Sequence, residues 1–116
     1  MYTKNHRRHP RIHRPVEVNY YFGENLFREL TKSLSMGGLY VMTAQPLEVD
    51  SLFRVDFNLP GFDHLFKIPG KVIWIKVAKD VNGPPGMGIK FLEVPESDKR
   101  TLLQYIAASQ VTQQEF

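Results

Sequence analysis

Alternation of apolar and polar residues, repeated in short segments and abandoned once near the C-terminus, constrains this chain more than any other feature. Val16, Val18 and Tyr20 alternate with Glu17 and Asn19, the pattern of a half-buried strand. Gly23-Glu24-Asn25 is a turn signal, and Leu26 to Ser33 reads as the returning strand, with Phe27, Glu29 and Thr31 on one face. Gly38 to Thr43 is a short buried strand that Gln45-Pro46 ends. Phe53, Val55 and Phe57 against Arg54, Asp56 and Asn58 make Leu52 to Leu59 a strand, closed by Pro60-Gly61. Phe66 to Val77 is the longest strand expected, with Val72, Trp74 and Lys76 on one side. Pro69-Gly70 is expected to interrupt it as a bulge or an edge position. Asn82 to Gly86 reads as a loop and Gly88 to Val94 as the last strand. The period then changes: Leu102, Leu103, Ile106 and Gln110 follow helical spacing, with Tyr105 flanking. Pro95 suits a first helical turn, and Glu96 and Asp98 there complement the helix dipole.

Six or so strands followed by one helix over about 95–110 describe a small antiparallel barrel or sandwich with a helical lid. The 116 residues amount to one domain with one modest core. Residues 1–14 read as a flexible arm, 15–110 as the folded body and 111–116 as a polar tail. With no cysteine, disulfide scaffolds, thiolate zinc sites and thiol catalysis are excluded. The longest apolar run, Val72-Ile73-Trp74-Ile75, is far short of the ~18 residues a membrane span needs. The basic N-terminus has no apolar stretch behind it, so no secretory signal is expected and the localisation expected is cytoplasmic.

Charge is uneven. Lys4, Arg7, Arg8, Arg11 and Arg14 lie in the arm with no acid, whereas the remainder holds ten basic and twelve acidic residues. A basic arm on a mildly acidic body points to an anionic partner. A pI of 9.3 alone would admit nucleic acid. The body, however, shows no stripe of aromatics interleaved with basic residues, which argues against it. Catalytic constellations are thin. His6, His9 and His13 have ligand-like spacing, but imidazoles among cations without a supporting carboxylate are poor metal ligands. Asp63-His64 reads as a loop pair, since no serine is placed to complete a triad. Gly83-Pro84-Pro85-Gly86-Met87-Gly88 lacks the spacing of a phosphate-binding loop and precedes a strand, so it reads as a rigid turn. Trp74 alternates as core residues do and is expected inside.

Two segments carry more specific chemistry. Arg7-Arg8-His9-Pro10-Arg11 places two arginines four apart just ahead of the first strand. Arginine is planar and permanently charged, and it grips a phosphate or a guanine edge through two parallel hydrogen bonds. Ser33-Leu34-Ser35-Met36-Gly37-Gly38 is a small-polar, glycine-rich turn where a ligand can approach the backbone and find N–H groups.

Together these segments resemble the PilZ domain family, bacterial receptors for cyclic di-GMP. Arg7 and Arg11 match the RxxxR arm of that family, and Ser35 and Gly38 match its [D/N]xSxxG turn. Met36 to Val41, Pro46-Leu47, Lys71 to Trp74, Gly86 to Phe91 and the closing helix are similar to the family in order and spacing. The resemblance implies an all-β fold with one C-terminal helix, specifically a six-stranded antiparallel β-barrel. It implies a single-domain receptor without catalytic activity or cofactor, whose ligand is cyclic di-GMP and whose signal passes to an effector protein. The output it implies is motility, adhesion or surface polysaccharide. The ligand-binding residues it implies are Arg7, Arg8, Arg11, Ser33, Ser35, Gly37 and Gly38. Arg7 and Arg11 would hold phosphates and guanine faces, Arg8 and Arg14 would add charge, and the arm would order on binding. Ser33 departs from the pattern, standing where the family usually has Asp or Asn. Losing one good hydrogen bond there costs about 1–3 kcal/mol, roughly ten- to hundredfold in affinity. The alternative is a PilZ interaction module that binds no nucleotide.

Overall fold

A computed structural model describes residues 10–81 and 83–114, with side chains as far as Ser109. The strands are β1 (Glu17–Phe22), β2 (Asn25–Leu34), β3 (Gly38–Met42), β4 (Leu52–Asn58), β5 (Leu65–Lys76) and β6 (Gly86–Phe91), followed by α1 (Glu96–Gln114). They close into a barrel in the order β1-β2-β3-β6-β5-β4, every pairing antiparallel. Closure leaves no edge strand, and it decides between the barrel and the sandwich.

The alternation of the sequence becomes the inside and outside of this barrel. Val18 and Tyr20 of β1, Val55 and Phe57 of β4, and Phe66 and Ile68 of β5 are buried. The β1–β2 hairpin closes through the two residues Gly23 and Glu24, with Gly23 at φ +64° supplying the turn its left-handed step. On α1, Leu102, Tyr105 and Ile106 face the core, as does the small polar Ser109. Leu103 is 56 % exposed, so the buried face runs through Tyr105 rather than Leu103. The helix also continues through 111–114, where a polar tail was expected, because no glycine or proline follows Pro95 to stop it. No helix among the described residues is long and apolar enough to cross a membrane.

Register decides two further expectations: of the bulge or edge position at Pro69-Gly70 only the edge alternative stands, and Trp74 leaves the core. Pro69-Gly70 makes no bulge: β5 pairs with β4 continuously from Leu65 to Lys71. The Pro69 carbonyl accepts from Leu92 N at 2.9 Å, so its nitrogen faces the end of β6, where the ladder asks for no donor. The irregularity lies at Ile73 instead, between Val72 and Trp74. A bulge reverses the side-chain alternation beyond it. Val72 is therefore fully buried, and Trp74 is 48 % exposed rather than in the core. β6 likewise starts at Gly86 and ends at Phe91, so Gly86 of the expected loop enters the sheet. Asp63-His64 is not a pair within the loop. His64 Nε2 meets Asp98 Oδ1 on the first turn of α1 at 2.6 Å, tying the helix to the start of β5.

Candidate functional site

Ile12 fixes the end of the arm. It exchanges two backbone bonds with Leu34, Ile12 N to Leu34 O at 2.8 Å and Leu34 N to Ile12 O at 3.0 Å, and its side chain is buried. The ordered body thus reaches upstream of residue 15. The driving force is the apolar surface of Ile12, worth about 2 kcal/mol when buried. In extended chain, neighbours of an inward residue point outward. Arg11 accordingly lies on the outer surface, where its Nε donates to Ser33 Oγ at 3.0 Å and its Nη1 to Ser35 Oγ at 3.2 Å.

The turn after β2 is built around Ser35. Its N donates to Gly38 O at 2.9 Å, and its hydroxyl accepts from Gly37 N at 3.2 Å. Gly37 O in turn accepts from Phe91 N at 2.9 Å. Gly38 is demanded by packing: a Cβ there would lie 2.0 Å from the Ile89 carbonyl oxygen of β6. The structure therefore brings Arg11, Ser33, Ser35, Gly37 and Gly38 together. The glycines shape the turn, however, and Gly37 N is already taken by Ser35, contrary to the expectation of a free N–H. Arg7 and Arg8 lie outside the described residues.

A pocket of about 450 Å³ opens beside Arg11 and Ser33. Its aromatic wall follows from register. Tyr40 of β3 and Trp74 of β5 are both cross-strand partners of Gly88 on β6, one on each side. Gly88 has no side chain to separate them, and the rings stack across it with centroids 5.1 Å apart. A Cβ on Gly88 would lie 2.3 Å from Trp74 Nε1. The Tyr40 hydroxyl donates to Pro84 O at 3.0 Å. Its pKa is raised, first by burial and then by the charge of Asp80.

The polar wall is cationic. A bulge at Lys32, between Thr31 and Ser33 of β2, turns that side chain toward the β5–β6 hairpin. Lys76 stands opposite, with Asp80 and the Gly83 carbonyl as partners. His13 also lines the opening. Cations around a flat aromatic face suit a ligand that is planar and anionic: the face stacks, and the guanidinium and ammonium groups neutralise phosphate.

The PilZ domain family matches residues 5–108. This chain belongs to that family. Among solved structures similar to this PilZ domain, the Bacillus subtilis inhibitor of motility MotI/DgrA superposes with a TM-score of 0.78 at 22% identity, over 91% of this chain and 52% of that one. The PilZ domain of Escherichia coli YcgR with c-di-GMP gives 0.72 at 24% identity, over 95% of both chains. YcgR in complex with c-di-GMP gives 0.77 at 24% identity, over 95% of this chain and 48% of that one. This chain thus spans about half the length of MotI/DgrA and of the longer YcgR chain. At these identities the likeness is one of fold. A search of curated protein sequences gave no significant match.

Within the PilZ pattern, the serine and glycine positions were legible as a motif. Tyr40, Trp74, Lys32, Lys76 and Asp80 were missed. One signal was available: Gly86 and Gly88, two apart on a strand, leave a bare strip on one face that neighbouring aromatics can cover.

Proposed function

We propose that this protein is a cyclic di-GMP receptor whose pocket lies between the arginine arm, the serine turn and the Tyr40–Trp74 stack. The observation that carries this reading is Arg11, held by two neutral hydroxyls at the mouth of an aromatic, cation-lined pocket. The two hydroxyls orient the guanidinium at the pocket mouth, where its planar donors can meet a phosphate. Ser33 retains a lone pair toward a guanine edge, and Trp74 offers its open half for stacking. PilZ domains are binding modules, and the solved YcgR structures hold c-di-GMP.

With Ile12 already seated in the core, the response to ligand falls on the arm ahead of it and on the outer face of the pocket. That changed face is what an effector protein would read, in a pathway of motility, adhesion or surface polysaccharide. MotI/DgrA, an inhibitor of motility, gives the first of these its support. The test is calorimetric titration of cyclic di-GMP into the wild-type protein and Arg11→Ala, with GTP as the specificity control. Saturable binding is expected, weakened at least tenfold by the substitution, with no comparable signal from GTP.

A second reading has one observation in its favour. Ser33 and Ser35 are both engaged by Arg11, and position 33 lacks the usual carboxylate or carboxamide. A PilZ module working through protein contacts alone would show no heat in this titration and would keep its cellular function in Arg11→Ala.

A further inference from the structure

Among the described residues lining the pocket, Asp80 is the sole carboxylate. It sits on the β5–β6 hairpin, and its Oδ1 lies 2.5 Å from Lys76 Nζ. The placement is built rather than incidental. Asp80 and Gly83 exchange two backbone bonds, at 3.1 and 3.0 Å, which close a tight turn. Gly83 adopts φ +128°, a conformation that L side chains rarely take. Its carbonyl accepts from the same Lys76 Nζ at 2.9 Å. Lys76 is thus clamped between two groups of one turn. Its side chain is 17% exposed against 52% for Asp80, so the carboxylate is the partner nearer the solvent. Asp80 also faces the aromatic wall: the Tyr40 pKa is raised first by burial and then by the charge of this carboxylate.

We propose that Asp80 is a built-in competitor for the anionic ligand: it occupies Lys76 until a phosphate displaces it, and so sets the concentration at which the pocket fills. This rests on the nucleotide reading above. Displacement exchanges one anionic partner of Lys76 for another. The ion pair is partly solvated and therefore weak, so the carboxylate lowers affinity without closing the site. Ligand binding would also release the Asp80–Gly83 turn from Lys76, coupling occupancy to the surface of the hairpin.

Trp74 is the only tryptophan in the chain and lies in the pocket wall, so its fluorescence reads binding directly. Cyclic di-GMP is titrated into wild type, Asp80→Asn, Asp80→Ser, Lys76→Gln and the Lys76→Gln/Asp80→Asn pair, at low and at high salt. Removing one negative charge from the site should tighten binding about tenfold at low salt, in both Asp80 variants. The gain should shrink at high salt, where the charge is screened. It should shrink also in the Lys76→Gln background, where the ammonium that Asp80 holds in wild type is gone. Binding by Asp80→Asn with none by wild type would support the proposal equally. Unchanged or weaker binding in Asp80→Asn would overturn it, since Asp80 would then be positioning Lys76 rather than competing for it. An undiminished gain in the Lys76→Gln background would overturn it too. Binding by none of the proteins would overturn the nucleotide reading and the competition with it, whereas equal binding by wild type and the Asp80 variants would overturn the competition alone.

Discussion

At the scale of single residues, Ser33 and Gly88 are the positions where one atom changes most. Ser33 reaches Arg11 with a single hydroxyl at 3.0 Å. Asn at the same place carries an acceptor and a donor farther out, able to hold Arg11 and a guanine edge together. Ser33→Asn is therefore expected to tighten cyclic di-GMP binding by about tenfold, equivalent to about 1.4 kcal/mol. Equal affinity in calorimetry would mean that position 33 does not meet the ligand. Gly88 is the spacer that brings Tyr40 and Trp74 into contact. Gly88→Ala would put a methyl 2.3 Å from Trp74 Nε1, so the indole must lift away. The expected outcome is a red-shifted tryptophan emission and weaker ligand binding with the barrel intact. An unchanged spectrum would contradict the stacking. Of these two positions, only Ser33 was legible as a site residue. The motif fixes its spacing from Ser35, whereas the role of Gly88 depends on strands far apart in sequence.

At the scale of elements, two bulges position the site and one side-chain hydrogen bond ties the helix to the barrel. The regular alternation of Phe53, Val55 and Phe57 was read directly, because β4 pairs without interruption on both sides. Trp74 was assigned to the core because the bulge at Ile73, which reverses the alternation, leaves no signature in a run of β-branched and aromatic residues. The bulge at Lys32 hid that lysine in the same way. Ile12 was lost in the charge of the arm, although a lone isoleucine among basic residues is a plausible anchor once a strand end is found to receive it. His64 and Asp98 join α1 to the barrel across 34 residues, a distance no local pattern reports. Asp98 is buried and His64 packs edge-on against Phe66. A double-mutant cycle of His64→Ala and Asp98→Ala should give a coupling of about 1–2 kcal/mol in denaturant unfolding. A coupling near zero would mean that packing of Leu102, Tyr105 and Ile106 alone holds the helix.

At the scale of the whole molecule, strand order assembled the pocket. Lys32, Tyr40, Trp74 and Lys76 come from β2, β3 and β5 and meet only because β6 lies between β3 and β5. The family resemblance anticipated the closed barrel; alternation alone left the sandwich open. Closure buries Tyr20 completely among Phe27 and Phe53. Its hydroxyl pKa is pushed up to about 12, by burial first and then by the charge of Glu29, with nearby Thr43 offsetting only part. Thr43 lies near the hydroxyl, but no hydrogen bond of good geometry satisfies it among the described residues. The folded protein therefore keeps this proton to about pH 12, while the unfolded chain releases it near its ordinary value of 10.0. Stability from this group is complete below pH 10.0 and is lost as pH rises toward 12. The loss amounts to about 3 kcal/mol. In Tyr20→Phe the alkaline decline of stability should flatten by that amount, read from denaturation midpoints across this range. Parallel declines in the two proteins would contradict it.

The location of the ligand is tested most directly by amide and indole N–H shift mapping of the protein during titration with cyclic di-GMP. The expected result is a contiguous response from Arg11, Lys32, the Ser35–Gly38 turn, Gly88 and the Trp74 indole N–H. Shifts confined to a second hollow, about 360 Å³ beside Asn19, Asp56 and Asn58 on β1 and β4, would contradict it. So would a titration to saturating nucleotide in which nothing moves.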